Sequence, residues 1–145
     1  MSDKLSKKVA ISESRIGLES PMVISHIAQN CLYTGFFGRL DSVRIKAITD
    51  KIVNKIESTD TLIVILDLSN VEIIDSAITK HLLDIGTTMQ MLGVEVYFCG
   101  IKSVVAQTMT KAGIYFDKFQ VYKNLQIALE AVYRATGYKL VQLEQ

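Results

Sequence analysis

The chain has 145 residues, of which 49% are hydrophobic and 21% are charged, and its net charge is +1 at pH 7. This length and apolar content predict one globular domain and exclude a disordered chain. The balanced charge argues against nucleic acid as a partner, and the lack of an apolar stretch of about 20 residues argues against a membrane. Since the N-terminus also lacks the apolar segment of a secretory signal, we expect a cytoplasmic protein.

The first predicted elements are two runs rich in β-branched and aromatic residues, at 21–27 and 31–37. The three residues between them suit a turn, so the pattern predicts a β-hairpin. Asp41 is then placed to cap a helix in which isoleucines recur at spacings of three and four. The isoleucines are Ile45, Ile48, Ile52 and Ile56. An almost unbroken apolar run follows at 61–68, which is typical of a parallel strand buried on both faces.

Asp75 is placed to cap a second helix with the same apolar spacing, and Gly93 suits the left-handed position at its end. The positions expected to face the core are Ile78, Leu82, Ile85, Met89 and Leu92. A short buried strand is predicted at 94–99, and Ser103 is the expected cap of a third helix. A weak strand at 119–122 precedes Asn124, which is a good cap for a fourth helix.

Alternating strands and helices require crossover connections, which are right-handed in nearly all proteins. The sequence therefore predicts an α/β fold with a mixed, mostly parallel sheet, an N-terminal antiparallel hairpin and about four helices. We assign residues 1–15 to a flexible N-terminal segment, 16–137 to a single domain and 138–145 to a C-terminal tail.

Residue patterns of a catalytic or metal centre are missing from the sequence. Neither His26 nor His81 has a cysteine or histidine at metal-ligand spacing, and the glycines form neither of the two common phosphate-binding motifs. Cys31 and Cys99 lie in apolar runs, which indicates buried thiols. We therefore predict no catalytic residue, no metal and no cofactor.

Polar residues gather where the central strand leads into the second helix. Asp67 and Ser69 end the strand, a loop is expected at 71–74, and Asp75 and Ser76 begin the helix. A phosphate on Ser76 would face free N–H groups and the positive end of the helix dipole, so the fold would tolerate it. The added charge of about −1.5 to −2 would join Asp67 and Asp75 on that surface and repel a docked partner. Spacing alone favours the simpler alternative, in which Asp75 and Ser76 only begin and cap the helix.

Three segments form a set: DLSNVEIIDS at 67–76, GVEVYFCGI at 93–101 and VAQTMTKAGI at 105–114. Together they resemble the STAS domain of anti-sigma-factor antagonists and, within that family, the stressosome scaffold proteins. The resemblance covers about residues 20–135. It implies a non-enzymatic regulator in stress-response signalling that forms homo- or hetero-oligomers. Its implied partners are a switch-type serine/threonine protein kinase, paralogous STAS scaffold proteins and a phosphatase.

The resemblance also implies site residues. In the family, the hydroxyl residue after the aspartate is phosphorylated by the kinase, which gives that role to Ser76. In the stressosome branch a threonine after Ala-Gln is a second phosphorylated residue, which gives that role to Thr108, although a β-branched residue packed beside the core is the alternative there. Ser69, Asp75 and Thr79 are expected to complete the partner-binding surface around Ser76.

Two other functions stay open at this point. The strand ends near Asp67 and Gly100 could form a crevice for a nucleotide or lipid. An enzyme would require Asp67, Asp75 and His81 to converge. Aromatic residues are either core or interface in all of these interpretations. They include Phe36, Phe37, Tyr115 and Phe116.

Overall fold

The computed structural model of the protein describes residues 22–73 and 75–144, with the backbone alone at 72 and 73. The predicted segment 1–15, the first residue of the predicted hairpin and residue 74 of the predicted loop lie outside this description. The helices and strands, in chain order, are β1 (Met22–Ala28), β2 (Cys31–Arg39), α1 (Ser42–Glu57), β3 (Ile63–Ile73), α2 (Ser76–Met91), β4 (Glu95–Cys99), α3 (Ser103–Lys111), β5 (Gln120–Tyr122) and α4 (Leu125–Ala135).

The strands form one sheet in the order β1-β2-β3-β4-β5. β1 and β2 are antiparallel and are joined by a tight turn in which Asn30 has φ 58°, whereas β2, β3, β4 and β5 are all parallel. The prediction of a mixed, mostly parallel sheet with an antiparallel hairpin is confirmed. The parallel strands end at one edge of the sheet, which we call the carboxyl edge.

The central strand β3 is buried on both faces, as its apolar run predicts. Val64 and Leu66 belong to the core that α1, α2 and α3 cover, and Ile63 and Ile65 face the smaller core under α4. Successive residues of a strand point to opposite faces, so an unbroken apolar run is needed where both faces are covered.

The predicted inward positions of the first two helices are buried, with one exception. Asp41, Asp75 and Asn124 cap their helices as expected, and each carboxylate or amide oxygen accepts a hydrogen bond from a backbone N–H three residues later, at 2.8–3.0 Å. The exception is Leu92, which is 43% exposed because it lies one residue after the end of α2, as its C-cap.

The predicted loop at 71–74 is wrong in its first three residues, because β3 continues to Ile73. The neighbouring strand β2 also runs on, to Arg39, and supplies backbone partners: Val71 pairs with Gly38, and Ile73 pairs with Arg39. In the sequence, the strand was expected to end with its apolar run. Backbone hydrogen bonding between two strands can continue beyond that point wherever the neighbouring strand offers partners. The turn from β3 to α2 is therefore short.

Ser103 is the first residue of α3 and not its cap. The cap is Lys102, whose side chain makes no capping hydrogen bond, and the Ser103 hydroxyl instead accepts from Gln107 Nε2 at 3.0 Å. The prediction of Ser103 as a cap was therefore wrong by one residue. A side-chain oxygen can accept from the first-turn N–H groups only when it lies just outside the helix.

The aromatic residues left open by the sequence divide between core and surface. Phe36 is buried, and Phe116 packs edge-on against Phe98 with ring centroids 4.6 Å apart. Phe37 and Tyr115 are exposed, at 45% and 62%. Within 138–144 the chain has no regular structure, although the Tyr138 hydroxyl donates to Gln29 Oε1 at 3.0 Å. Among the described helices, none has the length and hydropathy to cross a bilayer.

Candidate functional site

Ser76 is exposed at the first position of α2, on the carboxyl edge of the sheet. Asp75 precedes it in an extended conformation and accepts a hydrogen bond from the Ile78 N–H at 2.8 Å. The first turn carries no acidic side chain after this cap. An anion attached to Ser76 would therefore meet the remaining free N–H groups and the positive helix end without a competing carboxylate inside the helix.

Thr79 does not lie on the exposed surface around Ser76, which corrects its predicted position there. It is fully buried, and its hydroxyl donates to the Asp75 carbonyl at 2.8 Å. A threonine can lie on the inward face of a helix when its hydroxyl bonds the preceding turn, because only the methyl group then needs an apolar environment. Thr79 therefore stabilises the start of α2 from the buried side of the helix.

Asp67 is also buried, which corrects its predicted place on the surface beside Ser76. Its carboxylate accepts from the Tyr33 hydroxyl at 2.7 Å, from the Ser69 N–H at 3.0 Å and from the Ser69 hydroxyl. Burial, followed by the hydrogen bond and charge of Asp67, raises the pKa of Tyr33 well above its usual value. The Asp67 carboxylate is therefore enclosed within β3 by Tyr33 and Ser69, and it is not part of the exposed surface around Ser76.

The crevice expected near Asp67 and Gly100 is filled. Gly100 has φ +71°, and a Cβ on it would lie 2.8 Å from Asp67 Oδ1 and 2.9 Å from the Ser69 nitrogen. Next to it, burial and then the Asp67 charge raise the pKa of the Cys99 thiol to about 12. Gly100, which follows β4, therefore packs directly on Asp67 and Ser69 of β3, at the place where the crevice was expected.

The remaining predicted site residues differ in how exposed their side chains are. Asp75 and Ser76 are exposed, and Ser69 is half-buried with its hydroxyl directed at Asp67. Thr108 is half-buried on α3, where its hydroxyl donates to the Val104 carbonyl at 2.9 Å, so a modifying enzyme would have to break that bond first. The part of the chain that the structure describes holds no group of three His, Cys, Asp or Glu side chains suited to a metal ion.

Comparison with known families matches the STAS domain model to residues 23–128. This chain belongs to the STAS family. Its curated relatives include the RsbT co-antagonist protein RsbRA of Bacillus subtilis, with 23% identity over 137 residues, which are 94% of this chain and 48% of RsbRA. They also include the uncharacterized protein YezB of the same organism, with 32% identity over 63% of this chain and 84% of YezB. The chain thus spans about half the length of RsbRA.

Solved STAS structures share the fold. RsbS of Moorella thermoacetica superposes with a TM-score of 0.69 over 81% of this chain and 98% of its own, at 22% identity. The unphosphorylated form of the anti-sigma factor antagonist SpoIIAA superposes with a TM-score of 0.63 over 83% of this chain and 99% of its own, at 15% identity. The STAS domain described above therefore has the fold of anti-sigma-factor antagonists and stressosome proteins.

The STAS domain also carries functional candidates that the sequence reasoning missed. Tyr33 is distant from Asp67 in the sequence, and only strand pairing brings the two side chains together. Lys80 is one helical turn after Ser76 and lines an open groove of about 360 Å³ between α2 and the segment after α3. The sequence shows that Lys80 lies four residues after Ser76 and therefore on the same helix face. It does not show that the segment after α3 forms the opposite wall of a groove.

Proposed function

We propose that this STAS domain is a non-enzymatic protein-binding module of cytoplasmic stress-response signalling that is controlled by phosphorylation. Its partner is a switch-type serine/threonine protein kinase or a paralogous STAS scaffold protein, with which it forms an oligomer. Ser76 is the main phosphorylated residue and Thr108 the second. Phosphorylation releases or exchanges the partner, and a phosphatase restores the first state.

The observation that carries this proposal is the exposed position of Ser76 at the capped start of a firmly packed helix. Ile78 and Leu82, on the inner side of the same turns, are buried in the main core. A phosphate on Ser76 therefore alters the charge of the surface without removing any buried contact. This combination of an accessible hydroxyl and a rigid support suits a residue that controls binding while the domain stays folded.

The names of the relatives agree with this function. Four of the matched Bacillus subtilis proteins are named as RsbT co-antagonists. Structures of SpoIIAA with the same fold exist in an unphosphorylated and a phosphorylated form. Together they support a protein partner and phosphate control for this chain.

The test is affinity capture from a lysate of the source cell with three forms of the protein: unmodified, Ser76→Ala and Ser76→Asp. We expect the unmodified and Ser76→Ala forms to retain the same kinase or scaffold protein, identified by mass spectrometry. The Ser76→Asp form should lose or exchange that partner, since its added charge lies where the partner docks.

The chain offers a matched control. Ser42 follows the capping residue Asp41 at the start of α1, in the same arrangement as Ser76 after Asp75. The Ser42→Asp variant adds the same charge to an exposed first helical position elsewhere on the carboxyl edge. The proposal fails if all forms retain the same partners, or if Ser42→Asp releases them as well as Ser76→Asp does.

A further inference from the structure

A row of side chains, three polar and one apolar, runs along α2 from Ser76 into the groove described above. Ser76 is followed on the same helical face by Lys80, Leu83 and Thr87, at offsets of four, seven and eleven residues. The last three line the groove. Residues at these offsets are neighbours on a helix surface, so the groove begins one turn from the candidate phosphorylated residue.

The opposite wall of the groove is apolar and held in place. Ile114 is buried in the main core, and Phe119 packs edge-on against Phe98 with ring centroids 5.2 Å apart. Gln90 of α2 donates from Nε2 to the Lys118 carbonyl at 3.1 Å, which ties this wall to the helix. Tyr115 stands exposed at the rim. An exposed tyrosine over a preformed apolar floor is typical of a protein-binding surface.

The charged groups of the groove favour an acidic occupant. Two lysines, Lys80 and Lys118, line it against one acidic residue, Asp117. Neither ammonium group forms an ion pair with any residue that the structure describes. An occupant that covers the apolar floor also covers these lysines, and carboxylates on its edge would compensate for their lost hydration.

We propose that the groove binds an acidic amphipathic segment of the partner protein, and that a phosphate on Ser76 closes it by pairing with Lys80. This inference rests on the proposed phosphorylation of Ser76 and specifies the chemistry of the partner. The apolar side of the segment covers Leu83, Ile114 and Tyr115, and its carboxylates pair with Lys80 and Lys118.

Phosphorylation reverses the charge that the segment meets. The groove lining has a net charge of +1, from Lys80, Lys118 and Asp117. A phosphate on Ser76 carries about −1.5 to −2 charges, which more than offsets this charge one helical turn away. An anion four residues before a lysine is also the favourable order for a helical ion pair. Asp84, four residues after Lys80, has the less favourable order and a single charge, so the phosphate is the stronger partner for Lys80.

The first test needs no partner protein. Phosphoserine is incorporated at position 76, and the second pKa of the phosphate is measured by ³¹P NMR in the otherwise unmodified protein and in Lys80→Gln. We expect this pKa to be higher by a few tenths in Lys80→Gln, because the cation that favours the dianion is gone. Lys55→Gln is the control, since Lys55 lies in the last turn of α1, at the opposite edge of the sheet. Equal phosphate pKa values in the unmodified and Lys80→Gln proteins would overturn the pairing.

The second test uses two synthetic helical peptides with leucines and a phenylalanine on one face and either glutamates or glutamines on the other. Binding is followed by ¹H–¹⁵N NMR. The glutamate peptide should shift the amide signals of residues 113–119 and of Lys80. Its affinity should fall about threefold or more in Lys80→Gln and again in the protein phosphorylated on Ser76. Three results would refute the groove as a site for an acidic segment. They are equal binding of both peptides, shifts confined to amide signals outside the groove, and no binding at millimolar concentration.

Failure of this inference can be told apart from failure of the proposed function. If Ser76→Asp releases a captured partner but Leu83→Ser with Lys80→Gln does not, the switch is upheld and the groove is refuted. Groove signals that shift with protein concentration alone would assign the groove to a second copy of the chain and would also refute the proposal. Circular dichroism of each variant checks that α2 remains folded.

Discussion

Replacing Tyr33 by phenylalanine removes one hydroxyl from an enclosed carboxylate and changes little else. Asp67 is buried within β3 and accepts three hydrogen bonds, of which the one from the Tyr33 hydroxyl is 2.7 Å long. A hydrogen bond to a charged group contributes about 1.5–3 kcal/mol. Because Tyr33 is half-exposed, water can partly replace its hydroxyl. We therefore expect the free energy of unfolding to fall by about 1–2 kcal/mol.

Urea denaturation followed by circular dichroism measures this change. With a typical slope of about 2 kcal/mol per M, the midpoint should fall by roughly 0.5–1 M. Tyr122→Phe is the matched control, because the Tyr122 hydroxyl makes only an exposed contact of 3.4 Å with Gln120. Equal stability of the two variants within about 0.5 kcal/mol would show that the Tyr33 hydroxyl does not stabilise the carboxylate.

Three further predictions concern the same edge of the sheet. Gly100→Ala should destabilise the protein by clearly more than Gly113→Ala in thermal denaturation. Both glycines have φ +71°, but only at Gly100 would a Cβ meet Ser69, so an equal loss would refute the close packing of Gly100 on β3. Asp75→Ala should cost about 1 kcal/mol in urea denaturation by removing the helix cap, and an unchanged stability would contradict that role. Finally, the Cys99 thiol, with its pKa raised from 9.0 to about 12, stays neutral in the folded chain while it ionises in the unfolded chain. Its stabilising contribution is complete below pH 9 and is lost as the pH rises toward 12, so stability measured against pH should fall less steeply in Cys99→Ala.

Part of the candidate site was predictable from the sequence because it depends on contacts between near neighbours. A capping aspartate acts on an N–H three residues later, and an amphipathic helix shows its inward face through its own spacing. Asp75, the start of α2 at Ser76 and the buried positions Ile78 and Leu82 all follow from such local relations. The resemblance to the STAS family, carried by the same segment, was confirmed by the match over residues 23–128.

The errors at the site have a common cause. Thr79 and Asp67 are polar and lie within ten residues of Ser76 in the sequence, so a surface position was expected for both. Each is buried because a partner satisfies its polar group: a backbone carbonyl for Thr79, and Tyr33 and Ser69 for Asp67. Whether a polar side chain can be buried depends on such partners, and strand pairing supplied Tyr33 from more than 30 residues away.

The sequence by itself determined the order of strands and helices, three of the four helix caps, the two-sided burial of β3 and the exposed serine at a helix start, since each depends on periodicity or on residues within one turn. Only the tertiary structure decided how far β3 extends, that the crevice near Gly100 is closed, and that Lys80 faces Tyr115 and Phe119 across a groove. These features arise where separate elements meet, and their geometry is set by sheet register and packing between elements.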